Sequence, residues 1–335
     1  MIRTIRFILF IGFVLMLTSC FKKDEAIAPH PKGDIVTDTI PMTINYTYQL
    51  YFDLSANMVV LKNRKTASDL GFDCSADGWK IILNTANFMK VADIGAVPFG
   101  AKYDTAGLVW KFDKSDGNAD SNAVGRWFRV AGGDTISGNH LYILNRGIDE
   151  NANSLGFSQV IFDSLRKGIY YFRFADLSGA NVHSGMVQKD GTVNYLFYSL
   201  AGGGSLQQLE PPSDMYDLLF TQYSTLLFTD AGQAYPYLVT GVLINPVNTE
   251  VAVDSIHSFN AISYQDVSRL TFSNTLDVIG YDWKYYSSVT GAYTVRTGVN
   301  YVIHTRQGYY FRLRFIGFYN NKGEKGYPVI EFQRL

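Results

Sequence analysis

The sequence predicts an all-β fold, and three observations carry that prediction. Phenylalanine and tyrosine number 23 each in 335 residues, and aromatic residues make up 15% of the chain; such side chains suit pleated, half-buried surfaces. Tyr309, Phe311, Leu313 and Phe315 alternate with Tyr310, Arg312, Arg314 and Ile316, which is the period of a strand with one buried face. No segment beyond residue 41 sustains a 3.6-residue period over three turns, so only short helices fit, near Ala67–Asp69 and Ser263–Arg269. At 47% hydrophobic the chain can build one large core or two ordinary ones. Two tandem, related β-sandwich-like domains are the expected architecture.

The elements follow in chain order. Residues 1–19 place Arg3 and Arg6 before an apolar run from Phe7 to Leu17, a secretory signal too short to anchor as a span. Its ending, Leu17-Thr18-Ser19-Cys20, resembles a bacterial lipoprotein signal, which implies cleavage before Cys20 and acylation of that residue. The lipid bilayer is then an expected partner through Cys20. Residues 20–41 carry Pro29, Pro31 and Pro41 without an apolar period and read as a flexible tether. Lys22-Lys23-Asp24-Glu25 resembles the surface-export signal of Bacteroidetes lipoproteins, which implies an outer-membrane anchor with the body outside the cell. Cys74 is then unpaired and reads as a small buried apolar residue.

The remainder reads as two similar halves, residues 42–183 and 184–335. Tyr51 to Ala56 matches Leu196 to Ala201, and Asp69-Leu70-Gly71-Phe72-Asp73 matches Asp217-Leu218-Leu219-Phe220-Thr221. Further on, Gly125-Arg126-Trp127 matches Gly280-Tyr281-Asp282-Trp283, Asn139 to Leu144 matches Asn300 to Thr305, and Ile169 to Phe174 matches Gly308 to Phe315. The common order at domain-length spacing points to duplication. Asn320-Asn321-Lys322-Gly323 is turn chemistry before a last strand from Tyr327 to Arg334.

Charge narrows the partners. A net charge of −1 offers no basic excess for a phosphate backbone, so nucleic acid is excluded as a partner. From Ala201 to Trp283 there are nine acids and one base, Arg269, whereas Gly291 to Leu335 holds seven bases and two acids. These segments read either as neighbours on one surface or as an acidic face aimed at a cation. Asp113 to Asp120 has the oxygen density of a calcium loop without its spacing and reads as a solvated turn. No GxSxG, HExxH, GxGxxG or P-loop motif is present, and the chain reads as non-enzymatic. Tyr, Trp and Asn on the loops of a β-scaffold would suit stacking on a sugar or porphyrin ring.

The C-terminal half adds a family resemblance. Asp277-Val278-Ile279-Gly280-Tyr281-Asp282-Trp283-Lys284-Tyr285-Tyr286, Tyr309 to Tyr319 and Lys325-Gly326-Tyr327 resemble the HmuY family of Bacteroidetes surface lipoproteins. The run Tyr216-Asp217-Leu218-Leu219-Phe220-Thr221-Gln222-Tyr223 is similar to another segment of that family. The resemblance implies an all-β fold and capture of haem by two axial His or Met side chains. In the family a ligand His lies five residues after the motif's Trp; here that position is Ser288 after Trp283, and Gly132 after Trp127. Tyr286 and Ser288 are therefore expected near a bound porphyrin. His140 and His304 sit in strand-like segments and read as structural. His183 and His257 sit in loop-like surroundings, where one could ligate haem iron with Met186 or Met215 as a soft second ligand. A glycan, a peptide or an adhesive contact is the alternative, and an outer-membrane transporter is the expected recipient of the cargo.

Overall fold

A computed structural model describes residues 30–132, 134–247 and 249–335; the signal 1–19, Cys20 and the tether up to residue 29 lie outside the described residues. The chain is all-β. β1 (Val36–Thr39), β2 (Tyr48–Asp53) and β3 (Met58–Arg64) come first, then β4 (Leu70–Asp73), β5 (Ile81–Leu83) and β6 (Lys90–Asp93). β7 (Phe128–Ala131), β8 (Asp134–Ser137), β9 (Leu141–Asn145), β10 (Phe157–Arg166) and β11 (Ile169–Ala175) follow. β12 (His183–Gln188), β13 (Tyr195–Ser199) and β14 (Ser205–Gln207) lead into β15 (Leu218–Phe228), β16 (Ala234–Ile244) and β17 (Glu250–Asp254). The chain ends with β18 (Lys284–Ser287), β19 (Ala292–Val295), β20 (Asn300–His304), β21 (Tyr310–Tyr319) and β22 (Lys325–Arg334).

These strands make two packed-sheet bodies, each with its own core. In the first, the sheet β14-β13-β4-β5 lies against a seven-stranded sheet built from β6 to β12. Phe72, Trp127, Phe162, Tyr170, Phe172 and Tyr198 fill the space between them. In the second, β16-β15-β2-β3 lies against β1-β22-β21-β20-β17, around Phe52, Phe220, Trp283, Phe315, Phe318 and Phe332. Trp283 stacks on Phe315 with ring centroids 3.9 Å apart. The alternation in β21 is the cause: Phe311, Leu313 and Phe315 turn inward, as the period of two requires.

Single hydrogen bonds recur between the two bodies. The N–H of Asp69 donates to the Tyr198 carbonyl and that of Asp217 to the Phe52 carbonyl, each at 2.9 Å. Asn84 N–H donates to the Asp69 carbonyl and Asn245 N–H to the Asp217 carbonyl. The two carboxylates accept from Leu200 N–H and Leu54 N–H and pair with Arg146 and Arg306. β6 pairs with β9 as β17 pairs with β20, and β12 edges β11 as β1 edges β22. Matching Ile169–Phe174 to Tyr309–Phe315 sets β11 against β21. The hydrogen bonds instead set β10 against β21, since each pairs with the strand after the short hairpin, β9 or β20.

Neither expected block, 42–183 or 184–335, closes on its own strands. β2 pairs with β15, and β13 pairs with β4, so sheet hydrogen bonds cross the 183/184 boundary in both directions. The strands β1–β3 complete the second body, and their counterparts β12–β14 complete the first. This is a reciprocal exchange of equivalent elements within one chain.

Three smaller expectations change. Residues 20–41 are not tether throughout: β1 pairs with β22 and Ile40 is fully buried, because the edge of β22 needs a hydrogen-bonding partner. No helix forms at 67–69, while a short 3₁₀ segment at Tyr264–Arg269 is capped by Ser263 and Asp266. Asp113 is buried rather than solvated and accepts from Leu83 and Ala123 N–H, and burial pushes its carboxyl up to about 6.

Candidate functional site

The second body carries two hairpins that project beyond its sheets. Only Leu218–Phe220 of β15 pairs with β2, whereas all of β15 pairs with β16. From Thr221 to Phe228 the pair β15–β16 is therefore a two-stranded ribbon. The hairpin β18–β19 is a separate two-stranded sheet. An open cleft of about 1460 Å³, mouth included, lies between them.

Tyrosines line it from every side. β16 contributes Tyr235 and Tyr237, which share a face by strand alternation and meet edge to face at 6.3 Å. Tyr281, Tyr285, Tyr286 and Tyr293 come from the β18–β19 hairpin and its approach. Tyr46 completes the set from the loop before β2. Gly326, at φ +90°, lets that loop approach, since a Cβ there would sit 2.1 Å from the Thr43 carbonyl oxygen. The close approach brings Lys325 to 5.5 Å from the Tyr46 ring centroid.

Cations complete the lining. Lys284 is only 6% exposed. Its Nζ donates to the Thr240 carbonyl at 2.5 Å and to that of Tyr281 at 3.4 Å, and lies 4.2 Å from the Trp283 ring centroid and 4.8 Å from that of Phe318. Burial pulls this amine down to about 7. Arg296 donates from Nε to the Asp282 carbonyl at 2.7 Å and lies over Tyr285. Asp282 is the acid in the lining, and no His, Met or Cys is part of it.

Of the residues singled out in the sequence, Tyr286 lines this cleft. Ser288 is exposed in the turn at the tip of β18–β19, two residues from Tyr286 and outside the lining. His257 is held by Asp254 at 2.8 Å in the turn after β17. Burial raises the Asp254 carboxyl, but hydrogen bonds from the backbone and ring of His257 outweigh it and hold the group below its usual range. His183 packs on Phe174 in the first body, 5.3 Å between ring centroids. Met186, three residues along the same strand, points to the opposite, exposed face. His183 and Met186 therefore cannot serve one iron together. Among the described residues no cluster of three or more His, Cys, Asp or Glu suits a metal ion.

Sequence reasoning missed Tyr235, Tyr237, Tyr293, Lys284, Arg296 and Lys325. The available signal was Tyr235-Pro236-Tyr237 opposite Tyr285-Tyr286, but only the tertiary placement of the two hairpins turns these pairs towards each other.

The family model described as HmuY protein matches residues 45–332. Three solved structures resemble the chain. The apo HmuY analog of Tannerella forsythia has 9% identity over 92% of this chain and 98% of that one, with a TM-score of 0.27. Apo PinO from Porphyromonas gingivitis has 9% identity over 91% and 98%, with a TM-score of 0.28. A Bacteroides vulgatus protein described as HmuY-like and heme-binding has 14% identity over 52% and 90%, with a TM-score of 0.19. No curated protein matches.

Proposed function

The chain belongs to the HmuY protein family, and from that premise we propose a non-enzymatic capture protein whose tyrosine cleft holds a planar ring ligand, haem foremost. Acylated Cys20 would tether it to the outer membrane with the cleft facing outward, and an outer-membrane transporter would receive the cargo. The observation that carries this reading is the convergence of seven tyrosines on one open cleft. Aromatic faces at this density suit stacking on a flat ring rather than bond-breaking chemistry.

The donors suited to ferric iron in this lining are phenols, which ligate haem in some proteins. Burial pushes the phenols of Tyr46, Tyr281 and Tyr293 up, which disfavours a phenolate there. The exposed phenols of Tyr235, Tyr237, Tyr285 and Tyr286 remain as accessible ligands.

Titration of the mature protein with haemin should give a saturable Soret shift at one equivalent. The double variant Tyr237→Ala/Tyr286→Ala should bind at least about tenfold more weakly, since each stacked ring contributes about 1 kcal/mol. A wild-type titration without a saturable shift would remove haem and leave a glycan or peptide as cargo.

A further inference from the structure

We propose that Lys284, Arg296 and Lys325 form an anion subsite of the tyrosine cleft, so that its ligand is a planar ring compound bearing carboxylates. The inference rests on the reading of the cleft as a ring-binding site and specifies what else the ring must carry.

Among the described residues the ion-paired cations are arginines and histidines; no lysine is paired, and the buried Lys65 and Arg312 likewise rest on neutral acceptors. Arg306 is paired with Asp53 and Asp217, Arg146 with Asp69, Arg173 with Asp163 and Arg314 with Glu331. Among the described residues, none of the three cleft cations makes an ion pair. All three face one cleft, and the acid beside them is the exposed Asp282. Nine acids and one base lie between Ala201 and Trp283, so carboxylates were at hand in the very segment that builds the ribbon and the approach to β18. The cleft still sets three cations against the single acid of its lining, Asp282.

Lys284 is the most telling of the three. A buried ammonium without a carboxylate is costly, and two carbonyls plus ring faces offset only part of the desolvation. An ammonium has three N–H donors, and two are directed at the Thr240 and Tyr281 carbonyls. The third has no carbonyl partner, and the Trp283, Phe318 and Tyr293 ring centroids lie 4.2, 4.8 and 5.8 Å from the nitrogen. A carboxylate in the cleft would supply the missing countercharge and make hydrogen bonds of the charge-assisted kind. The downward pull of burial on this amine agrees with a site that lacks its anion. Arg296 and Lys325 lie in different places, the residue after β19 and the start of β22. A ring with more than one acidic arm could therefore engage both the floor and the rim.

Esterification tests the proposal, because it removes charge and leaves the ring unchanged. Haemin and protoporphyrin IX would each be compared with their dimethyl esters in binding to the full mature protein, followed by Soret absorbance and tryptophan quenching. The expected result is at least about tenfold tighter binding of the diacid in both pairs, with the preference weakening as salt is raised. Lys284→Met should bring the diacid-to-ester ratio towards one, whatever it does to ester affinity. Because Lys284 also ties two hairpins together, the double variant Arg296→Gln/Lys325→Gln serves as the second probe and should lower the same ratio. Equal affinity for acid and ester, or a ratio that neither variant changes, overturns the subsite while the ring-binding reading stands. If neither acid nor ester binds, the ring-binding reading falls and takes the subsite with it.

Discussion

Replacing Arg306 with Met should destabilise the fold by about 3–5 kcal/mol, the cost of leaving buried charge without its partner. Arg306 is the second body's counterpart of Arg146, and its guanidinium reaches two carboxylates. Nη1 lies 2.7 Å from Asp217 Oδ1 and Nη2 lies 3.0 Å from Asp53 Oδ2. The Arg306 side chain is 5% exposed and that of Asp217 is 0% exposed, so water cannot replace the lost partner. The bridge also spans the strand exchange, since Asp53 ends β2 whereas Arg306 follows β20.

The loss should depend on pH. Burial pushes the Asp217 carboxyl up to about 6, even though the Leu54 N–H and Arg306 pull it down. In the unfolded chain an Asp titrates near about 3.9. A raised folded value means that the native state holds the proton more tightly, so this group's contribution is fully present below about 3.9 and is lost as pH rises through about 6. Without Arg306 the folded value climbs further and the ionised form becomes costlier. Urea denaturation of Arg306→Met against the wild-type protein should show a larger deficit at pH 7.5 than at pH 4.5. A deficit under 1 kcal/mol at pH 7.5 would mean that the pair contributes no more than a surface ion pair does.

Much of this was written locally in the sequence, and some could not be. Asp69 and Asp217 stand at matching places in the repeat and make matching bonds. Trp127 and Trp283 each follow a glycine in the left-handed region and enter a core. Such positions are legible because a strand's period of two fixes which side chains turn inward. Partner choice between equivalent strands is another matter. β2 and β13 carry the same inward pattern, Leu50, Phe52 and Leu54 against Leu196, Tyr198 and Leu200, so either would suit either core. The pairing seen here is decided by connectors and by long-range register, which no window of sequence holds. The cleft was hidden for the same reason. Single tyrosines in strands read as core residues until two hairpins are seen to project past their sheets and face each other.

That equivalence makes the fragment 184–335 a sharp test. It lacks β1–β3, which would leave β15 without β2 and β22 without β1. It retains β12–β14, whose inward residues can fill the same places: Leu196, Tyr198 and Leu200 for Leu50, Phe52 and Leu54. The Leu200 N–H, bonded to Asp69 in the full chain, can then donate to Asp217 as Leu54 does. The connector from β14 to β15 contains Pro211-Pro212, whose fixed φ and missing N–H groups keep it extended. It should carry β12–β14 away from their own body, as it does in the full chain. Two fragments would then complete one another, so the expected product is a folded dimer with one cooperative, concentration-dependent urea transition. Sedimentation and circular dichroism read this directly. A folded monomer would show that the connector can turn back, and an unfolded fragment would show that β12–β14 do not substitute for β1–β3. The Arg306 pair adds a second reading, because Asp53 is absent and its place falls to Ser199. The fragment should accordingly lose less stability from Arg306→Met than the full chain does, since one buried carboxylate rather than two is left without its cation.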